Sequence, residues 1–305
     1  MTAHFFSPLT YHNTFGSHAA VFTLQPGDTI TTTTLDAHGY DSAGAAAAQR
    51  SNPLSGPFAV RGARPGDTLV VHILRLTPNR AYGFSYRNLR PNVVLPGMVP
   101  RLPPREAVRW LLDLHTNTAR PEIPPATLPG FNIPLSPMLG CIGVAPDREQ
   151  SIISYNCGNF GGNLDSPRVV PGVTLYLPVF CEGALLYLGD GHAAQSHGEL
   201  AGTGIEVPME VEIGIDLLPS KTISIPRGED AAQRFTLGID RPLENALQAA
   251  VTEMLIWLQE DGLSMDDACQ LLGQAARFEL GNVISPAYSI ACLLDKMTLT
   301  ASDNL

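Results

Sequence analysis

The chain has 305 residues, and none of its apolar runs approaches the ~18 residues that a membrane span requires. Its start, MTAHFFSPLTYHN, has neither a basic stretch nor the apolar core of a secretion signal. These absences predict a cytoplasmic protein that does not enter membranes. Cysteine is scarce: Cys141, Cys157, Cys181, Cys269 and Cys292 are odd in number and scattered, with no Cys-x-x-Cys pair. That argues against a disulfide framework or a zinc knuckle and for reduced thiols. Basic charge is short as well, with 19 Lys and Arg against 29 Asp and Glu, a net charge of −10. Binding to nucleic acid or anionic lipid draws most of its free energy from basic surface, so neither is expected. A small neutral substrate is indifferent to such a field.

The composition is 44% hydrophobic, enough for a substantial core, and 28 glycines with 26 prolines break the chain into many short strands and turns. Residues 19–35 and 58–76 each place β-branched residues around a Pro-Gly-Asp-Thr turn, at 26–29 and 65–68, and read as two β-hairpin-like units with similar turns in one sandwich or barrel. Between 76 and 137 prolines interrupt nearly every element. Trp110, Phe131 and the leucines there favour an ordered excursion that covers a pocket or a subunit contact, and 105–114 (REAVRWLLDL) reads as its one short helix. Residues 173–180 and 184–188 read as an antiparallel hairpin about the turn at Cys181-Glu182-Gly183. Residues 207–216 alternate apolar side chains with Glu210 and Glu212, as a strand with one solvated face.

Helical period begins after Pro242. Leu247, Val251, Met254, Leu255 and Leu258 predict a core-facing stripe over 243–259, ended by Gly262. Ser264, with Asp267 three residues on, predicts a capped second helix burying Met265, Ala268, Cys269 and Leu272. Cys269 is read as core filler, since nothing nearby would activate it. The expected architecture is mainly antiparallel β with a small C-terminal α+β portion. Three segments are expected: 1–135, a β-sandwich with the proline-rich excursion; 136–217, a β unit; and 218–305.

Chemistry concentrates in Asn156–Glu206. The supposed hairpin would set residue 172 opposite 192 and so carry Asp165, in a Gly-rich loop, towards Asp190 and His192. The last two are two residues apart and share one face of a strand. Asp, Asp and His are suitable donors for a divalent ion such as zinc, with an open position for catalysis. An amide resists water at neutral pH, and a bound ion with a nearby carboxylate answers both needs, activating water and carrying a proton to the amine. Glu199 is the candidate for that carboxylate or for a further ligand. Glu206, at an odd separation from Glu199, should point to the opposite face of a regular strand unless a bulge intervenes. Residue by residue the plainer readings stand beside these: Asp190 a turn residue, His192 a structural histidine, Asp165 a loop cap. Cys157 beside Gly158 is a nucleophile candidate without a readable Cys–His spacing.

GCIGVAP at 140–146, GGNLD at 161–165, LPV at 177–179 and GDGHAAQ at 189–195 with Gly198-Glu199 resemble the signature of the acetamidase/formamidase family. The likeness extends to NPLSGPFAVRGARPGDTLVVHIL (52–74), to QPGDT and TTLDA (25–37) and to GLSMDDACQLL (262–272). It implies hydrolysis of formamide, acetamide or relatives, a jelly-roll-like β-sandwich with an additional β unit, a divalent metal ion (zinc), and a homo-oligomer, dimer or higher. Asp165, Asp190 and His192 are then the metal ligands, and Glu199, Asp190 and His192 the catalytic set. Asn163, Gln195 and His197 are expected to bind the substrate, with Asp36 and His38 of TTLDAHG as a second tier. Two positions depart from the family pattern: Ser196-His197 stands where Gly-Asp is usual, and Phe160 precedes the paired glycines. The rival readings are a non-hydrolytic small-ligand-binding protein on the same scaffold, and a hydrolase of a larger amide, cyclic imide or ureide. A cupin-type oxidoreductase fits less well, because His192 and His197 are not in an His-x-His arrangement.

Overall fold

The computed structural model of the protein describes residues 2–299; Met1 and residues 300–305, the outer ends of the first and last segments, lie outside the described residues. Two large, mainly antiparallel sheets pack about one apolar core, as the mainly β expectation required. The larger has nine strands in the order Ala3–Phe5, Thr29–Thr33, Met209–Leu218, Thr68–Pro78, Thr174–Pro178, Arg227–Glu229, Gln233–Asp240, Tyr288–Asp295 and Arg277–Leu280. The second has six: Cys157–Gly158, Gly161–Asn163, Met138–Gly143, Leu186–His192, Leu54–Val60 and Phe22–Leu24. The nine-stranded sheet takes strands from all three chain segments. Alternate residues of both sheets, among them Val71, Ile213 and Leu175 from one and Phe58, Ile142 and Leu188 from the other, fill the core between them.

The two Pro-Gly-Asp turns are alike, but they do not close hairpins. Asp28 and Asp67 each accept a hydrogen bond from the backbone three residues earlier, from Gln25 at 3.0 Å and Arg64 at 2.8 Å, and Gly27 and Gly66 both have positive φ. Each turn passes the chain between sheets, from Phe22–Leu24 to Thr29–Thr33 and from Leu54–Val60 to Thr68–Pro78. The hairpin expected from 173–180 and 184–188 is likewise absent. Thr174–Pro178 joins the large sheet and Leu186–His192 the small one. Gly183, Ala184 and Leu185 all have positive φ, and this run of left-handed residues carries the chain across the core.

The proline-rich excursion is ordered, as a four-stranded sheet of Ile133–Pro134, Thr118–Pro121, Ala107–Asp113 and Tyr82–Tyr86. The helix expected over 105–114 is a strand. Val108, Trp110 and Leu112 turn inward at a period of two, and strands on both flanks satisfy the backbone, so tertiary pairing overrides helix propensity. Trp110 packs edge-on to Phe131 and donates from Nε1 to Ser85 Oγ at 2.9 Å. Glu210 and Glu212 do lie on a solvated face, both paired with Arg75.

Helices α1 (Leu243–Glu260) and α2 (Met265–Ala275) form a second core with Ile290, Cys292 and Leu294. The buried stripe of α1 is turned towards Ala246, Ala250 and Trp257, leaving Leu247, Val251 and Leu255 half-buried, because the helix presses closely on the sheet at Gly238. In α2, Ser264 caps Asp267 as expected and Ala268 and Leu272 are buried. Met265 and Cys269 are exposed: the helix covers α1 with one narrow face, and these two fall on the next stripe round. No helix among the described residues is long and apolar enough to cross a membrane.

Candidate metal and active site

The strand Met138–Gly143 organises the site. It pairs with Gly161–Asn163 on one side and Leu186–His192 on the other, so the motifs GCIGVAP, GGNLD and GDGH become three adjacent strands. That adjacency, and not a hairpin, brings Asp165 to Asp190 and His192. Gly140 lies between the two aspartates: a Cβ there would sit 2.6 Å from Asp165 Oδ1 and 2.6 Å from Asp190 Oδ2. Gly162, with φ 102°, allows the bend of the GGNLD run, and a Cβ on it would stand 2.5 Å from the Asn156 carbonyl. Asp165, Asp190 and Glu199 themselves have φ of 43°, 56° and 52°. Left-handed non-glycine residues are uncommon, and three in one buried cluster mark a backbone held for a purpose other than chain economy.

One ligand atom from each of Asp165, Asp190 and His192 falls in a group whose members all lie within 4.8 Å of one another, and His192, Glu199 and Glu206 form a second such group. His192 Nε2 is 3.6 Å from Asp190 Oδ1 and 3.1 Å from Glu206 Oε1. The opposite atom of each predicted ligand is already bonded. Asn52 Nδ2 donates to Asp190 Oδ2 at 2.7 Å; Asn163 Nδ2 and Asn282 Nδ2 donate to Asp165 Oδ2, the latter at 3.3 Å. Gln195 Nε2 donates to the Asp165 carbonyl at 2.6 Å and to that of Gly281 at 3.3 Å, which turns its Oε1 to His192 Nδ1 at 2.8 Å. Nδ1 therefore carries the hydrogen of the neutral ring, which leaves its Nε2 lone pair facing the carboxylates. Asp165 Oδ1, Asp190 Oδ1 and His192 Nε2 remain buried without a hydrogen-bond partner. Buried polar atoms are nearly always paired, and three convergent exceptions of this donor type fit a divalent ion.

Without such an ion the cluster is electrostatically costly. Burial, then Asp190, push the Asp165 carboxyl up to about 7. Burial, despite the opposing pull of His192, raises Glu206 to about 8, and burial with Asp165 beside it holds Glu199 well above the usual range. Burial alone would lower His192, but Glu206 and Asp190 outweigh it and raise it well above an ordinary imidazole. Folded-state values above the unfolded ones mean that the cluster's contribution to stability is fullest below the unfolded carboxyl values and falls as the buried carboxyls ionise. Metal-free protein should therefore melt at progressively lower temperature from about pH 4.5 to 8, and added divalent metal should reverse the loss. Thermal melts across that range, with chelator and with zinc, check both signs.

Gly140→Ala is a sharper structural test. The added methyl would collide with both carboxylates, an overpacking that typically costs about 1–3 kcal/mol. A lower melting temperature together with reduced metal content is expected, read by thermal denaturation and elemental analysis.

Of the residues named from sequence, Asn163, Asp165, Asp190, His192, Gln195 and Glu199 are brought together. Gln195 and Asn163 touch the ligands themselves. His197 is exposed, two residues before Glu199. Asp36 is occupied elsewhere, paired with buried Arg80 at 2.7 Å and accepting from the backbone of His38 and Tyr40. His38 stacks on Phe84 at 4.1 Å. Glu206 does not point away from Glu199. A turn at 200–202 and an irregular stretch after it intervene, and the backbone of Glu206 bridges to both Phe84 and His192, so the alternation of a regular strand does not apply. Asn52, Asn282 and Glu206 complete the site and were not among the expected residues; Cys141, which donates to Asn163 Oδ1 at 3.0 Å, also joins it. Asn282 lies 117 residues from Asp165 with no local signal. Cys157 is buried, and burial raises its thiol pKa far above normal, so it is not an activated nucleophile.

The model of the Acetamidase/Formamidase family matches residues 9–152 and 156–234. An acetamidase of Mycolicibacterium smegmatis is 28% identical over 222 residues, 54% of this chain and 53% of that protein. A putative formamidase of Schizosaccharomyces pombe is 25% identical over 267 residues, 72% of this chain and 62% of that one. The chain thus spans between half and two thirds of the length of these curated relatives. The crystal structure of an acetamidase from Yersinia enterocolitica superposes with a TM-score of 0.84 at 28% identity, covering 98% of this chain and 93% of that one. The family match takes in GCIGVAP, GGNLD and GDGHAAQ, the strands that build the carboxylate–imidazole cluster, and on this ground the chain belongs to the acetamidase/formamidase family.

Proposed function

We propose that the protein is a metal-dependent amidohydrolase, cleaving the C–N bond of a small amide of the formamide or acetamide type to a carboxylate and ammonia. The observation that carries this reading is the set of buried, unpartnered atoms Asp165 Oδ1, Asp190 Oδ1 and His192 Nε2, each with its opposite atom saturated by Asn163 and Asn282, Asn52 or Gln195. A divalent ion held there, zinc by its mixed oxygen and imidazole donors, supplies Lewis acidity towards a carbonyl and towards water. The chain's own residues do the remainder. Gln195 keeps His192 in one tautomer and orientation. Asn52 and Asn163 fix the aspartates. Glu199, whose carboxylate shares one cluster with His192, takes the proton released by water and delivers it to the leaving nitrogen. Glu206, beside His192, offers a second proton-holding carboxyl.

Ammonia release from formamide and acetamide, with zinc supplied, tests the reading; the panel extends to larger amides, cyclic imides and ureides. Turnover of the small linear amides is expected. Silence across the whole panel would favour a ligand-binding protein on the same scaffold. We also propose a cytoplasmic homo-oligomer. Leu95, Ile123, Leu128 and Phe131 expose apolar side chains on the proline-rich excursion, a surface suited to self-association. Light scattering should show a multiple of 32.6 kDa, and a lone 32.6 kDa particle would contradict it.

A further inference from the structure

Three arginines lie around the Glu199 and Asn52 side of the site. Among the predicted ligands and bases, Asp165 and His192 are wholly sealed, while Asp190 and Glu199 retain 3% and 5% exposure. The half-buried residues that hold the ligands are Gln195, bonded to His192, and Asn52, bonded to Asp190, and the second of these lies towards the arginines. Arg50, two residues before Asn52, donates from Nη2 to His38 Nε2 at 3.0 Å, and the Tyr86 hydroxyl meets the same nitrogen at 3.3 Å. Arg105 lies over the Tyr86 ring at 3.7 Å and donates from Nη1 to the Ala201 carbonyl at 2.9 Å. Arg90 bonds through its backbone to the Leu200 carbonyl at 2.8 Å and lays its side chain against Gly202, with its Nε buried and unpartnered. Arg90 and Arg105 thus clamp the turn that carries Glu199, while Arg50 and the Tyr86 hydroxyl meet at His38 Nε2 and Arg105 covers the Tyr86 ring.

None of these three guanidiniums has a carboxylate within ion-pair distance among the described residues, whereas nine other arginines do. Arg61, Arg64, Arg101, Arg120 and Arg241 also lack an ion pair among the described residues, but Arg50, Arg90 and Arg105 are the ones grouped about His38, Tyr86 and the turn after Glu199. Neutral formamide or acetamide offers such a group only an uncharged carbonyl, which the hydrolytic site itself must engage. A carboxylate does, since guanidinium N–H forks match its two oxygens and charge-assisted bonds are the stronger kind.

We propose that Arg50, Arg90 and Arg105 form a carboxylate clasp at the mouth of the site, and that the preferred substrate is a primary amide bearing a carboxylate, the monoamide of a short dicarboxylic acid. This rests on the amidase reading and adds the substrate class. The test compares malonamate, succinamate and glutaramate with the neutral primary amides propanamide, butanamide and pentanamide, using zinc-supplied protein at low and high salt. At least one anionic amide should exceed its neutral counterpart by tenfold or more in kcat/KM, chiefly through KM. Salt should shrink that preference because the rim is exposed. In Arg50→Met and Arg105→Met the anionic-to-neutral ratio should fall towards one, and Arg105→Lys should restore part of it. Ratios near one in the unmodified protein, or ratios that neither variant moves while neutral amides are still hydrolysed, would overturn the clasp and leave the amidase reading intact. Should no amide be hydrolysed, that reading fails, and calorimetry with succinate then decides the clasp: binding lost in both variants supports it, and no binding overturns it.

Discussion

Replacing His192 with alanine should remove most of the bound divalent metal and nearly all amide turnover. Its imidazole is the neutral donor in a cluster otherwise made of carboxylates, and its Nε2 belongs to both candidate ligand groups. Removing an outer partner of a metal ligand typically costs about 10–100-fold in affinity, and losing the ligand itself should exceed that. The variant should still fold. His192 lies outside the apolar core, and the carboxyls it leaves behind can bind protons, as the upward shifts of Asp165 and Glu206 indicate. Elemental analysis and an ammonia assay, with circular dichroism to confirm the β-rich fold, separate loss of the ion from loss of structure. A variant that keeps stoichiometric metal would take His192 out of the ligand set.

Glu199→Gln should behave differently, sparing the metal while slowing hydrolysis by about 10²–10⁴-fold, the usual effect of losing a general base. The substitution keeps shape and hydrogen-bonding capacity and removes only the ability to take up a proton. Its effect should fall on kcat with KM little changed, as expected when an interaction serves the transition state alone. A parallel loss of metal would make Glu199 a ligand instead.

Much of this site is legible in the residues because its chemistry is local. Gly-Asp-Gly-His places two donors two residues apart, and Gly-Gly-Asn-Leu-Asp supplies the third beside its own outer partner, Asn163. The donors meet, however, through pairing with Met138–Gly143 and not through a hairpin, because the chain crosses between sheets after Pro178. Alternation at 173–180 and 184–188 fits either arrangement, and only the left-handed run Gly183-Ala184-Leu185 decides between them. Helix propensity misleads at 105–114 for a similar reason, since the partners that make Ala107–Asp113 a strand lie in Tyr82–Tyr86 and Thr118–Pro121. Glu206 shows the limit of period-two reasoning, which holds along a strand and fails across the turn that precedes it. Asn52 and Asn282 reach the site through long-range packing, and no local pattern announces them.

The most direct test of the account is the metal content of purified, active protein, measured by plasma mass spectrometry beside its rate of ammonia release. One divalent ion per chain is expected, with turnover lost on chelation and regained when zinc returns. Full activity in protein without stoichiometric divalent metal would contradict the central claim.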